Sequence, residues 1–289
     1  MARSVTGGGL FFFVISIMIS VTTAAPATLG HLVKSFWYLE VEQTDIESYR
    51  EEIVPDGHHE IIFHLGADPG RIRLGDSAAW QEEPRALVVG QTLRRHHLWL
   101  APGARLYGIR FFPHTLLAFL RLPVAELTNQ LHPLEAIVHA QPFWDCIARD
   151  PRLTFANFEA LLVRMLRPEA VGNAGYDYVN AAVASILQNK GQVSGTGLVR
   201  RTGISKMHLD KLFLKYVGIG PKQFSRIIQL NAFIAYKTKH PDQSLTQCGY
   251  EAGYYDQSHL TRSFQSFVGR PPRAYFDDAN EISGIFSSL

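Results

Sequence analysis

The sequence predicts an α+β protein. An N-terminal small β-barrel or sandwich with trailing helices precedes a C-terminal all-α domain, in which two helix-turn-helix units are joined by a connecting helix. Three observations carry this expectation. At 289 residues the chain is longer than one hydrophobic core usually spans. Its front half holds strand-length apolar segments cut by Gly, Pro and Asp, whereas its back half keeps helical spacing. Finally, the segment His208–Pro221 recurs, offset by 51 residues, as His259–Pro272.

Composition narrows the classes. Hydrophobic residues make up 46% and charged residues 19%, enough apolar material for packed cores and too little charge for a disordered chain. From Tyr176 onward there are 13 Lys and Arg against 8 Asp and Glu, a net +5; the first 175 residues hold 15 against 18, a net −3. A basic rear behind a mildly acidic front points to a nucleic-acid-binding tail domain. Cys146 and Cys248 form neither a disulfide framework nor a zinc motif and read as buried free thiols of a reducing, cytoplasmic compartment. A P-loop, a nucleophile elbow and a dinucleotide fingerprint are all missing, so the expectation is a protein that is not an enzyme and needs no cofactor.

Residues 1–30 form an apolar N-terminal extension. Leu10–Val21 reads LFFFVISIMISV, with Arg3 before it and Ala25-Pro26-Ala27 after it. This is signal-like, yet short for a membrane span of about 20 residues. Because a DNA-binding tail has no target outside the cell, the segment reads as an over-extended start, with Met18 as initiator, or as a non-cleaved extension. Export, a strand packed on the domain and a membrane anchor are the other readings.

Residues 31–170 are expected to form the β-rich regulatory domain. Phe36–Glu42 is aromatic and then alternates, Glu60–Leu65 reads EIIFHL before a turn-like GADPGR, and ALVVGQ, HHLWL and ARLYGIRFF follow. After Pro113 the spacing turns helical in HTLLAFLRL, in PLEAIVHAQPFWDCIARD with Pro133 at a helix start, and in LTFANFEALLVRML. Strand alternation puts His58, Glu60 and His64 on one face of EIIFHL and Ile61, Phe63 and Leu65 on the other. The His-Glu-His line permits a metal, but its spacing is not HExxH. It reads as a solvated or partner-facing side, and a metal-binding barrel enzyme fused to a DNA-binding tail is the alternative. The linker falls around Arg167-Pro168 and VGNAG.

Residues 176–280 contain the repeat. His, Leu, Phe, an aromatic, Val, Gly and Pro recur at matching positions of HLDKLFLKYVGIGP and HLTRSFQSFVGRPP, each with a Gly just upstream (Gly203 and Gly253). The reading is a short helix, a left-handed Gly turn, an N-cap at Ser205 or Asp256, and a second helix. Leu209, Leu212, Phe213 and Tyr216 make one apolar stripe, and Leu260, Phe264 and Phe267 the other. Gly218 and Gly269 end the two helices. Phe224, Ile227, Ile228, Asn231 and Ala232 keep the spacing of a connecting helix. A polar N-terminal half on each second helix suits a major groove.

The second unit, GYYDQSHLTRSFQSFVGRPPRAY, closely resembles the signature of the AraC/XylS family of transcription regulators, over roughly Tyr178–Tyr275. The resemblance implies seven helices, two helix-turn-helix units and contact with adjacent major grooves of double-stranded promoter DNA. By motif position it makes Met207, Asp210 and Lys211 base readers of the first unit, and Gln257, Ser258, Thr261 and Arg262 those of the second. Lys206, His208, His259 and Arg273 would touch phosphate. VPDGHHEIIFHLG, GIRFFP and LPVAELTNQ are similar to a sensor-type domain found in a subset of that family, over roughly Leu32–Leu134, which implies a sensory or dimerising role. RNA polymerase, a small-molecule effector and a second copy of the chain are the further partners expected. Val199 and Gly249 stand where the family usually has Ala, Gly195 and Gly197 sit in the first scanning helix, and Asp210 is acidic. The second unit is therefore expected to be the stronger reader.

Overall fold

The computed structural model describes residues 19–42, 48–66 and 68–277. Leu10 to Met18 of the apolar segment lie outside the described residues. Its last three residues begin strand β1 (Ile19–Ala24), which pairs antiparallel with β2 (Val33–Val41), as in Ile19 with Val41 and Ala24 with Phe36. A single-residue irregularity interrupts the pairing of β2 with its other neighbour between Val33 and Ser35.

The remaining strands are β3 (Tyr49–Ile53), β4 (His59–His64), β5 (Arg71–Leu74), β6 (Gln81–Glu82), β7 (Ala86–Val89), β8 (His96–Leu100), β9 (Arg105–Phe111) and β10 (Leu131–Pro133). They make two sheets, a six-stranded one ordered β1-β2-β9-β4-β7-β10 and a four-stranded one ordered β3-β8-β5-β6. The architecture is an open sandwich; the sheets do not close into a barrel. Trp37, Leu39, Leu98, Leu100 and Leu106 form a cluster of their own. The Trp37 indole lies over its cross-strand partner Gly108, where a Cβ would come within 1.9 Å of the ring. Only a residue without a side chain fits there.

The other face of the large sheet carries the helices α1 (Gln141–Trp144) and α2 (Pro151–Met165). Phe158 of α2 stacks on Phe63 at 5.3 Å and on Phe36 at 6.5 Å, and Phe143 of α1 stacks on Phe63 at 5.8 Å. Both faces of β4 are thus buried, which corrects the expectation of a solvated His58-Glu60-His64 side. That line faces the interior of the sandwich, while Ile61 and Phe63 join the aromatic layer. The helical spacing after Pro113 is also realised differently from expectation. HTLLAFLRL holds one 3-10 turn, Leu116–Ala118, and Pro133 ends a strand before another 3-10 turn, Leu134–Ala136. These apolar runs are used to cover the sheet, and Pro113, Pro123, Pro133 and Pro142 keep breaking the i→i−4 ladder.

A one-turn helix, α3 (Pro168–Val171), precedes α4 (Ala174–Gln188), which is capped by Asn173. Then come α5 (Gly195–Thr202), α6 (Lys206–Tyr216), α7 (Pro221–Lys239), α8 (Leu245–Glu251), α9 (Gln257–Val268) and α10 (Pro272–Asp277). One hydrophobic cluster runs without a gap from Leu29 to Tyr275, so the sandwich and the helical part share buried surface. Among the described residues no helix is long and apolar enough to cross a membrane.

Candidate nucleic-acid interface

Each helix-turn-helix unit is built from its caps inward. In the first, Ser194 accepts from Gly197 N at 3.0 Å to start α5, and Gly203 ends it in the left-handed region at φ 72°. Ser205 then accepts from His208 N at 3.2 Å and opens α6. In the second, Ser244 accepts from Gln247 N at 3.1 Å to start α8, Gly253 turns at φ 78°, and Asp256 accepts from His259 N at 2.6 Å to open α9. Both Ser205 and Asp256 are N-caps, as the sequence indicates. Gly249 of α8 is buried against α9; a Cβ there would lie 3.1 Å from Leu260 Cδ2. The position that usually carries Ala is thus a close helix–helix contact.

The buried stripes hold the helices in place. Leu209, Phe213 and Tyr216 of α6 are buried and Leu212 is half-buried; Leu260, Phe264 and Phe267 of α9 are buried. Each such side chain contributes roughly 1.5–3 kcal/mol. The opposite faces are open. Lys206, Met207, His208 and Lys211 are exposed on α6, and Gln257, Ser258, His259 and Arg262 on α9. Met207, at 69% exposure, is a large apolar side chain held in solvent. Two named readers are less open. Thr261 is half-buried, and so is Asp210, which lines a groove with Pro221, Lys222 and Arg226 at the start of α7. Arg273 is exposed on α10, 3.6 Å from Asp277.

The 19-residue α7 connects the units, a rod of roughly 28 Å at about 1.5 Å per residue. Phe224, Ile227, Leu230 and Phe233 bury its inner face. Residues not singled out from the sequence also belong to this surface. Tyr255 is 85% and Tyr250 59% exposed beside α9. Thr246 Oγ1 donates to Gln257 Oε1 at 3.3 Å and orients that side chain. Placing large aromatics in the turn region of a helix-turn-helix was the available signal for the two tyrosines.

The front part docks on this assembly at several points. Pro55 O accepts from Asn231 Nδ2 at 2.7 Å. Gly57, at φ 85°, sits where a Cβ would be 2.9 Å from the Phe224 ring. Gly218 O accepts from Thr128 Oγ1 at 3.0 Å. Phe267 O accepts from Arg95 N at 2.7 Å, and Glu52 pairs with both Arg95 at 3.2 Å and Arg270 at 2.7 Å.

The interior of the sandwich is polar. Arg110 pairs with Glu60 at 2.7 Å and Asp56 at 3.0 Å, and Trp37 Nε1 donates to Glu60 at 3.0 Å. The Asp56 carboxyl is held well below the usual carboxylate range: its burial opposes ionisation, but the Arg110 guanidinium and His58 outweigh it. His64 lies 3.1 Å from Glu83. Among the described residues no group of three or more His, Cys, Asp or Glu is arranged to hold a metal ion.

Comparison with known proteins covers both parts. Residues 198–278 match a family model described as a helix-turn-helix domain. Residues 22–133 match one described as a domain of unknown function, DUF6597. The multiple antibiotic resistance protein MarA of Escherichia coli K12 and that of Salmonella typhimurium are each 32% identical to this chain over 75 residues, 26% of this chain. That stretch spans 58% of the length of those relatives. Among solved structures, ToxT from Vibrio cholerae is similar with a TM-score of 0.43 and 10% identity, covering 93% of this chain and 100% of its own. The AraC-like transcriptional activator CuxR has a TM-score of 0.29 and 14% identity, covering 75% of this chain and 86% of its own. The helix-turn-helix family match thus falls on the two capped units described above, and the C-terminal part of this chain is similar in sequence to the MarA proteins.

Proposed function

We propose that this chain is a sequence-specific DNA-binding transcription regulator that reads two adjacent major-groove segments of double-stranded promoter DNA with α6 and α9, under the control of its N-terminal domain. The observation that carries this reading is the pair of capped helices with buried apolar faces and open polar N-terminal halves, joined by one rigid helix. Successive major grooves on one face of DNA lie about 34 Å apart, and a 19-residue connector of roughly 28 Å is of that order, so one polypeptide can do what a dimer does elsewhere.

The base readers are Met207, Asp210 and Lys211 on α6, and Gln257, Ser258, Thr261 and Arg262 on α9. Lys206, His208, His259 and Arg273 contact phosphate. Half-burial of Asp210 and its charge both disfavour approach to phosphate, which supports α9 as the stronger reader. Residues 31–170 act as the regulatory domain and residues 176–280 as the DNA-binding domain. The working partners are promoter DNA, RNA polymerase, a small-molecule effector and a second copy of the chain, in the cytoplasm.

Selection of random duplexes by the full chain at moderate salt tests the reading. The expected result is two short enriched blocks about one helical turn apart. Salt-sensitive binding without any enrichment would overturn it, because phosphate contacts alone carry no sequence information.

A further inference from the structure

Between the two sheets lies a cavity of about 60 Å³. Asp56, Glu60 and Arg110 line one part of it, and Glu83 and His96 another, with Ile72 and Leu98 as apolar wall. Glu83 pairs with His64, four residues along β4 from Glu60, so the two polar groups sit roughly 13 Å apart along the strand at about 3.3 Å per residue.

The two ends differ in how they are neutralised. Asp56 and Glu60 face the Arg110 guanidinium, and Lys34 is close enough to feel all three charges. Glu83 pairs with no Arg or Lys among the described residues; its partner is the His64 imidazole, Nε2 to carboxylate at 3.1 Å, whose Nδ1 accepts from Gly70 N. His96 is 8% exposed, and its buried Nδ1 finds no hydrogen-bond partner among the described residues. Burial pushes its pKa down to about 4, so at neutral pH it offers a lone pair and carries no charge. A buried polar group without a partner costs roughly 1–3 kcal/mol, and this one stands beside an acid that lacks a cation. Three carboxylates therefore line the cavity against one guanidinium, Arg110, with Lys34 near the Asp56 and Glu60 end only.

We propose that this cavity binds a small organic cation, an amidinium or alkylammonium of a few heavy atoms, whose N–H groups are shared between the Glu83 carboxylate and the His96 imidazole while its apolar part lies against Ile72 and Leu98. The volume limits the ligand to a size near two waters, at about 30 Å³ each. An anion would meet three carboxylates.

Occupancy has a route to the DNA-binding helices. Val54, Asp56 and His58 line the cavity, while Pro55 and Gly57 of the same short segment rest on α7 through Asn231, Phe224 and Ile228. One face of this segment touches the ligand and the other the connector. This consequence rests on the proposed regulatory function; the binding site itself does not.

Acetamidinium, acetamide and acetate are near-isosteric probes that differ in charge. Calorimetry and thermal shifts on the full chain, at constant ionic strength, are expected to show binding of acetamidinium and at least about tenfold weaker binding of acetamide and acetate. Glu83→Gln and His96→Leu are expected to weaken acetamidinium by about tenfold or more, while His96→Gln, which keeps an acceptor, stays within about threefold. Ile72→Phe fills the cavity with its charges intact and is expected to abolish binding; it decides the matter should Glu83→Gln fail to fold. Equal binding of acetamide, unchanged binding in Glu83→Gln, or no binding of acetamidinium or ethylammonium would each overturn the proposal and leave a water site. Binding of a selected duplex by the untreated chain is read separately. A chain that binds acetamidinium but selects no duplex refutes the proposed function and keeps the site. A chain that selects a duplex but ignores acetamidinium does the reverse.

Discussion

Arg262 is the residue whose loss reads most directly on specificity. It is exposed on the second turn of α9, on the same face as Ser258 and Gln265 and four residues beyond the first of these. Under the proposed function a guanidinium there is a base reader that pairs bidentately with guanine. Arg262→Ala is expected to weaken binding to the selected duplex by about 1–3 kcal/mol and to relax preference at one base pair. A salt titration against a panel of single-base variants checks this; an equal loss on every variant would assign Arg262 to phosphate instead. Gly108 makes the opposite kind of demand, on stability alone. The Trp37 ring occupies the space of its missing Cβ. Gly108→Ala must displace an indole that also donates to Glu60, and overpacking of this kind costs about 1–3 kcal/mol or more. Denaturant unfolding should show that loss, with DNA affinity per folded molecule unchanged.

At the scale of single elements, α5 is the weakest built. Two of its first three residues are glycine, and a Cβ at Gly195 would meet nothing. Gly195→Ala is therefore expected to stabilise the chain by roughly 0.4–1 kcal/mol, chiefly by restricting the unfolded backbone. Urea unfolding measures it, and a loss of stability would mean that this end of α5 is not helical. The elements also separate what the sequence makes legible from what it does not. The helices of the C-terminal part were readable because their signals are local: Ser205 and Asp256 as caps, Gly203 and Gly253 as turns, and stripes of 3.6 period repeated in two copies. Strands β2, β4, β8 and β9 were readable from alternation and aromatics. Strands such as β3, with its sequence YREEI, and the two-residue β6 carry little apolar signal. They are strands because a neighbour supplies hydrogen bonds, which no short window reports. The burial of both faces of β4 was hidden for the same reason. A polar face pointing at water and one pointing at Arg110 have the same sequence pattern, and the charged groups that neutralise Glu60 and Asp56 arrive from some fifty residues away.

Across the whole molecule, the contact between the sandwich and the helices makes stability depend on pH. His59 is fully buried where the front part meets Val217, and its ring nitrogens find no well-formed hydrogen bond among the described residues. His96 sits in the sandwich, and His114 packs on Tyr176 with Asn180 at 3.1 Å. Burial lowers all three from the ordinary 6.5, His59 to about 3 and the other two to about 4. The folded chain thus keeps these rings neutral where the unfolded chain protonates them. Their contribution is complete above pH 6.5 and is lost as pH falls, through about 4 for His96 and His114 and about 3 for His59. Each imidazole then removes up to about 1.4 kcal/mol per pH unit. Between pH 6.5 and 5 ordinary carboxylates stay ionised, so the slope there belongs to histidine. Denaturant unfolding at steps through that window should show stability falling with acid, and His59→Leu should flatten the slope by about one proton. An unaltered slope in His59→Leu would show that this ring is solvated and that the sandwich and the helices part before the chain unfolds. A flattened slope would mean that opening the contact and unfolding the chain are one event, so that under the proposed function control acts through strain in the docked state rather than through release of the helical part.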